Sequence, residues 1–133
     1  MSLNGGCLCG RVRYEVSGAP FYTTACHCAD CRRAAAAPYV AWFSVMRAAF
    51  RFVSGAPRDY VSSPGVVRSF CADCGTPLTY RNAALPDEID VATASLDRPD
   101  DVPPERHTWV SQKLAWVVIA DGLPQLPREG SGG

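Results

Sequence analysis

Gly6-Cys-Leu-Cys-Gly-Arg-Val-Arg-Tyr-Glu-Val16 sets two thiols one residue apart between glycines and then runs into strict polar–apolar alternation. Val12, Tyr14 and Val16 face one way in an extended chain, the period of a half-buried β-strand. Working outward, similar runs recur at Phe21–Ala25, Tyr39–Val45, Phe50–Val53, Val66–Phe70, Pro77–Tyr80, Ile89–Ala94 and Trp116–Ile119. Each is short and rich in β-branched or aromatic residues, as strands are. Between them stand turn sequences such as Ser17-Gly-Ala-Pro20, Ser54-Gly-Ala-Pro57, Ser63-Pro-Gly65 and Gly122-Leu-Pro124. Only Ala29–Ala37, with its alanines and arginines, reads as a turn or two of helix. The expectation is a mainly β fold, two packed antiparallel sheets or a distorted barrel, with short helical turns.

The chain has 133 residues, a length that suits one domain. We place that domain at residues 4–128 and read residues 1–3 and 129–133 as added ends outside it. Thirteen basic residues balance thirteen acidic ones. That balance offers no electrostatic footprint for a nucleic acid or an anionic membrane surface. No apolar stretch is long enough for a membrane span, and the start lacks the regions of a signal peptide, so a cytoplasmic setting is expected. The oligomeric state is not legible.

Cysteine usage is the anomaly. Seven cysteines cannot all pair within one chain, and they fall in three clusters: Cys7/Cys9, Cys26/Cys28/Cys31 and Cys71/Cys74. Cys71-Ala-Asp-Cys-Gly75 has the form of a zinc knuckle, in which a tight turn aims two thiolates at one ion. In an extended strand Cys7 and Cys9 share a face and address one ion if the glycines bend the chain. Two such half-sites make a closed tetrahedral set. Cys26, Cys28 and Cys31 form a local group of three, the number that leaves a catalytic zinc an open position. Spacing alone permits other groupings, a Cys28/Cys31 redox pair, or iron in place of zinc. His27, between two ligands, points away from them in an extended segment.

These stretches resemble the glutathione-dependent formaldehyde-activating enzyme family, which also includes centromere protein V. The matching pieces are Gly6–Val16, Cys26-His-Cys-Ala-Asp-Cys-Arg-Arg33 and Phe70-Cys-Ala-Asp-Cys-Gly-Thr-Pro-Leu78. Thr93-Ala-Ser-Leu-Asp97, His107-Thr-Trp-Val110, Trp116 and Asp121-Gly-Leu-Pro124 follow in the family's order. The resemblance implies an Mss4-like β-fold. It also implies a structural zinc on Cys7, Cys9, Cys71 and Cys74, and a catalytic zinc on Cys26, Cys28 and Cys31. The activity it implies is that of a carbon–sulfur lyase joining formaldehyde to glutathione. One departure stands out: Ala34-Ala-Ala-Ala37 occupies a place where the family carries a glycine.

An open zinc would deprotonate a small thiol, and three thiolate ligands temper its Lewis acidity, so thiol activation is the expected chemistry. Ser95 and His107 are candidates for contacting substrate, and Arg32 and Arg33 for attracting its carboxylates. Trp42, Trp109 and Trp116 are expected in the core or in a pocket wall. The competing reading is a non-catalytic zinc-stabilised protein-binding module, which would need closed four-ligand sites.

Overall fold

A computed structural model describes residues 2–129. Among the described residues the chain forms ten strands and one short α-helix. In order these are β1 (Ser2–Gly6), β2 (Arg13–Ser17), β3 (Tyr22–Cys26), α1 (Ala29–Ala35), β4 (Val40–Met46) and β5 (Phe50–Ser54). Then come β6 (Arg58–Ser63), β7 (Val66–Phe70), β8 (Pro77–Asn82), β9 (Glu88–Ala92) and β10 (His107–Thr108). Three strands form one sheet in the order β1-β2-β5, and seven form the other in the order β10-β3-β4-β9-β8-β7-β6. All pairings are antiparallel except β10 with β3. Among the described residues no helix is long and apolar enough to cross a membrane.

Alternation decides which face of each strand is covered. Leu3, Tyr14 and Val16 of the small sheet meet Phe43, Val45, Ile89 and Val91 of the large one in a single buried cluster. The opposite parity of the large sheet carries Tyr22, Thr24, Ser44, Asp90 and Tyr80, which are polar or amphipathic and line a cavity. One sheet therefore has an apolar side that builds the core and a polar side free for a site. Gly5 is needed where the sheets approach, since a Cβ there would run into Tyr14 Oη and the Ser95 carbonyl.

Of the ends read as added, Ser2 and Leu3 fall in β1, where Leu3 is buried, and Glu129 lines the cavity; Met1 and residues 130–133 lie outside the described residues. Two expectations are corrected. The Trp116–Ile119 run is no strand: Trp116 is 70% exposed and Val118 85%. Lys113 Nζ donates to the carbonyls of Leu114 and Val117, so a side chain takes backbone groups that a sheet would have used. Trp116 is accordingly neither core nor pocket wall. β6 escaped the pattern because both its faces are exposed and it pairs along one edge only.

Ala36 caps α1 in the left-handed conformation, φ 51° and ψ 45°, within the run Ala34–Ala37. A Cβ is costly there and glycine is not. Ala36→Gly should stabilise the protein by about 1 kcal/mol, read as a melting temperature higher by a few degrees. An unchanged or lower melting temperature would show that the strain is not there.

Candidate metal centres

Cys71–Cys74 folds as the sequence predicts. The Gly75 amide donates to the Cys71 carbonyl at 2.8 Å, the Cys71 amide to the Thr76 carbonyl at 3.0 Å, and Gly75 takes φ 82°. Cys7–Cys9 uses the same device rather than an extended strand. The Gly10 amide donates to the Cys7 carbonyl at 3.1 Å, the Cys7 amide to the Val12 carbonyl at 3.0 Å, and Gly10 takes φ 81°. An extended pair of thiols points side by side, whereas a turn converges them, and the positive φ of glycine permits the turn.

The two turns meet. The ligand sulfurs of Cys7, Cys9, Cys71 and Cys74 all lie within 4.8 Å of one another, with Cys7–Cys9 at 3.6 Å and Cys9–Cys71 at 3.8 Å. A tetrahedron with metal–sulfur bonds of about 2.3 Å has edges of about 3.8 Å. Thr76 ties the halves together, accepting from the Leu8 amide at 3.0 Å and lying 3.3 Å from Cys74 Sγ. Hydrogen bonds from Thr76, side chain and then backbone, and from the Cys9 amide hold the Cys74 thiol down at about 5. Above the site an exposed Arg11–Asp73 ion pair joins the same two turns at 3.3 Å.

Cys26, Cys28 and Cys31 form the second group, their sulfurs again within 4.8 Å of one another. Cys26 ends β3, Cys28 is the N-cap of α1, and Cys31 lies in its first turn. The Cys31 amide donates to Cys28 Sγ at 3.3 Å. Hydrogen bonds from Cys26 and Cys31 push the Cys28 thiol down to about 2, while the same crowding, with burial, pushes Cys26 far up. For all three to ionise together this closely, they need a cation to share. Each cluster can hold a metal ion, and the donor sets suit zinc or another thiophilic metal.

The surroundings of the two clusters differ. Cys71 and Cys7 belong to the main core, with Cys74 packed against it. Cys26, Cys28 and Cys31 instead line a cavity of about 470 Å³ on the polar side of the large sheet. Trp42 and Trp109 form part of its wall, as expected of them. A second cavity of about 630 Å³ shares Cys31, Trp42 and Arg68 with it.

The other anticipated residues are placed as follows. Ser95 donates to the Ala92 carbonyl at 2.7 Å and lies 2.6 Å from Tyr14 Oη, which engages it between the sheets and away from both cavities. His107 is buried and lines neither cavity. Its Nε2 meets Asp121 Oδ2 at 2.7 Å and its Nδ1 meets His27 Nε2 at 2.9 Å. With both rings neutral, His107 donates to the carboxylate and His27 donates to His107. The chain Asp121–His107–His27 thus pins the loop between Cys26 and Cys28. Burial, then His107, pushes the His27 pKa down. Arg33 lines the second cavity and Arg32 lines neither.

Sequence reasoning missed Arg68, whose Nη2 lies 3.9 Å from Cys31 Sγ, and Asp90. Their alternation within β7 and β9 was visible. That both line the cavity of the three cysteines follows only from register.

The sequence profile of the glutathione-dependent formaldehyde-activating enzyme family matches residues 2–112. A Halomonas elongata protein carrying the same family name is 32% identical over 129 residues, covering 90% of this chain and 82% of that protein. A crystal structure of a Rhodobacter sphaeroides protein superposes with a TM-score of 0.61 at 22% identity, covering 92% of this chain and 98% of that one. The likeness to that structure speaks to the fold alone. With the profile spanning most of the chain, including all seven cysteines, the chain belongs to the glutathione-dependent formaldehyde-activating enzyme family.

Proposed function

We propose that this protein is a zinc-dependent enzyme that joins a glutathione-like thiol to formaldehyde, or cleaves the adduct. In this reading Cys7, Cys9, Cys71 and Cys74 hold a structural zinc, and Cys26, Cys28 and Cys31 hold a catalytic one. One observation carries the reading: the three-cysteine group opens on a cavity, whereas the four-cysteine group lines neither cavity. Among the described residues the three-membered group has no fourth His, Cys, Asp or Glu. When bound there, the ion supplies a Lewis acid with room for a further ligand and favours ionisation of a thiol that reaches it.

The chain's own residues hold and orient. Cys28 caps α1 and so fixes the ligand loop to the helix that carries Cys31. The His27–His107 bond fixes the same loop from the other side. Trp42 and Trp109 limit water around the reacting thiol. Thiol addition forms one sulfur–carbon bond. The carbonyl π pair moves to oxygen, which gains the proton the thiol loses, so the product is a hydroxymethyl thioether and no redox partner is required.

The family name and the relative's name support thiol and aldehyde as substrates. The test is exchange NMR of formaldehyde and glutathione with protein shown by elemental analysis to carry two zinc ions. Interconversion of the adduct should run well above the uncatalysed rate. No acceleration by fully loaded protein would remove the enzyme reading and leave the binding module.

A further inference from the structure

Five residues on five adjacent strands are direct cross-strand partners: Tyr22 with Ser44, Ser44 with Asp90, Asp90 with Tyr80, and Tyr80 with Arg68. All five line the cavity that holds the three-cysteine group. They form one transverse row across its floor, with neighbouring strands about 4.8 Å apart. Arg68 stands at the thiol end of the row, its guanidinium stacked on Tyr80 at 5.1 Å and 3.9 Å from Cys31 Sγ. Asp90, two strands away, accepts from Ser44 Oγ at 2.5 Å.

Asp90 is unusual for a carboxylate. It is half-buried, and no Lys, Arg or His pairs with it among the described residues. Burial pushes its pKa up to about 6, and the nearby Glu88 adds to the rise. It is still mainly anionic at neutral pH. A half-buried carboxylate with one hydroxyl partner has lone pairs to spare and gains from a cation. Of the charged residues lining the cavity, Asp30, Glu88, Asp90 and Glu129 are acidic and Arg68 alone is basic. Arg68, beside Cys31, is thus the one cation in the lining, and Asp90 with Glu88 gives the β9 side of the floor its negative charge.

We propose that Asp90 receives the ammonium group of the thiol substrate and Arg68 a carboxylate, so that the cavity selects an amino-acid-type, zwitterionic thiol. This rests on the function proposed above and adds the part of the substrate that does not react. A charge-assisted hydrogen bond discriminates strongly only where its buried partner is otherwise left without a counterion, as Asp90 is.

The experiment is calorimetric titration of the zinc-loaded full chain with two thiols. One is glutathione; the other is glutaryl-cysteinylglycine, which is glutathione without its amino group. Wild-type protein should bind glutathione about 10–100-fold more tightly than the deaminated thiol. Asp90→Asn should weaken glutathione by a similar factor and leave the deaminated thiol unchanged. Equal wild-type affinities for the two thiols overturn the proposal, even if Asp90→Asn does not fold. So does a loss in Asp90→Asn that is the same for both. In either case measurable glutathione binding leaves the proposed function standing. Failure of loaded wild-type protein to bind either thiol overturns both.

Discussion

Cys74→Ala and Cys71→Ala are expected to leave no stably folded protein. Cys71 is fully buried in the main core, and the four sulfurs of its cluster join the turn after β1 to the turn after β7. A structural zinc supplies apparent binding free energy on the order of 10 kcal/mol, against a total stability of about 5–15 kcal/mol for a domain. Three thiolates from two turns still bind zinc, but far more weakly and with a core cavity where Cys71 stood. The measurements are soluble yield, thermal melting and zinc content. If Cys74→Ala melted like the wild type and kept its full zinc complement, the structural role of the four-cysteine cluster would be wrong.

Cys28→Ala should behave in the opposite way, folded and inactive. Its sulfur is half-buried at the edge of a small satellite cluster around Trp42 and Ala92. The main core is untouched. Loss of the helix cap costs about 1 kcal/mol, a modest fall in melting temperature. Two remaining thiolates, Cys26 and Cys31, hold zinc weakly, so elemental analysis should find one ion per chain. Turnover of the glutathione–formaldehyde adduct should drop by about a hundredfold or more. A cobalt-substituted wild type should change its visible spectrum when glutathione is added, and Cys28→Ala should not. Unfolding as severe as that of Cys74→Ala would refute the division into a structural four and a catalytic three.

Part of this was legible because it is local. Cys26, Cys28 and Cys31 fall within one strand end and one helical turn, so their convergence follows from short-range geometry. Cys71–Gly75 likewise carries its own turn. Alternation marked β2, which buries one face, and short runs rich in β-branched or aromatic residues marked β3, β4, β5, β7, β8 and β9. β1 and β6 gave no such signal. β1 buries little besides Leu3, and β6 buries nothing, so their strand character comes from backbone pairing with neighbours.

The rest was decided between elements distant in sequence. Cys9 and Cys71 meet across 62 positions, and the sequence offered several groupings until the turns were placed side by side. His107 and Ser95 carried reactive atoms, but their neighbours Asp121, His27 and Tyr14 occupy those atoms in the fold. The Tyr22–Arg68 row depends on four successive strand registers. A slip of one residue in any of them would turn Asp90 or Arg68 into the core. By itself the sequence therefore determined which atoms can bind a metal and which strand positions are apolar, since both are properties of neighbouring residues. Which thiols share an ion, and which charges share a cavity, was decided by cross-strand register, because register is set by the packing of the whole sheet.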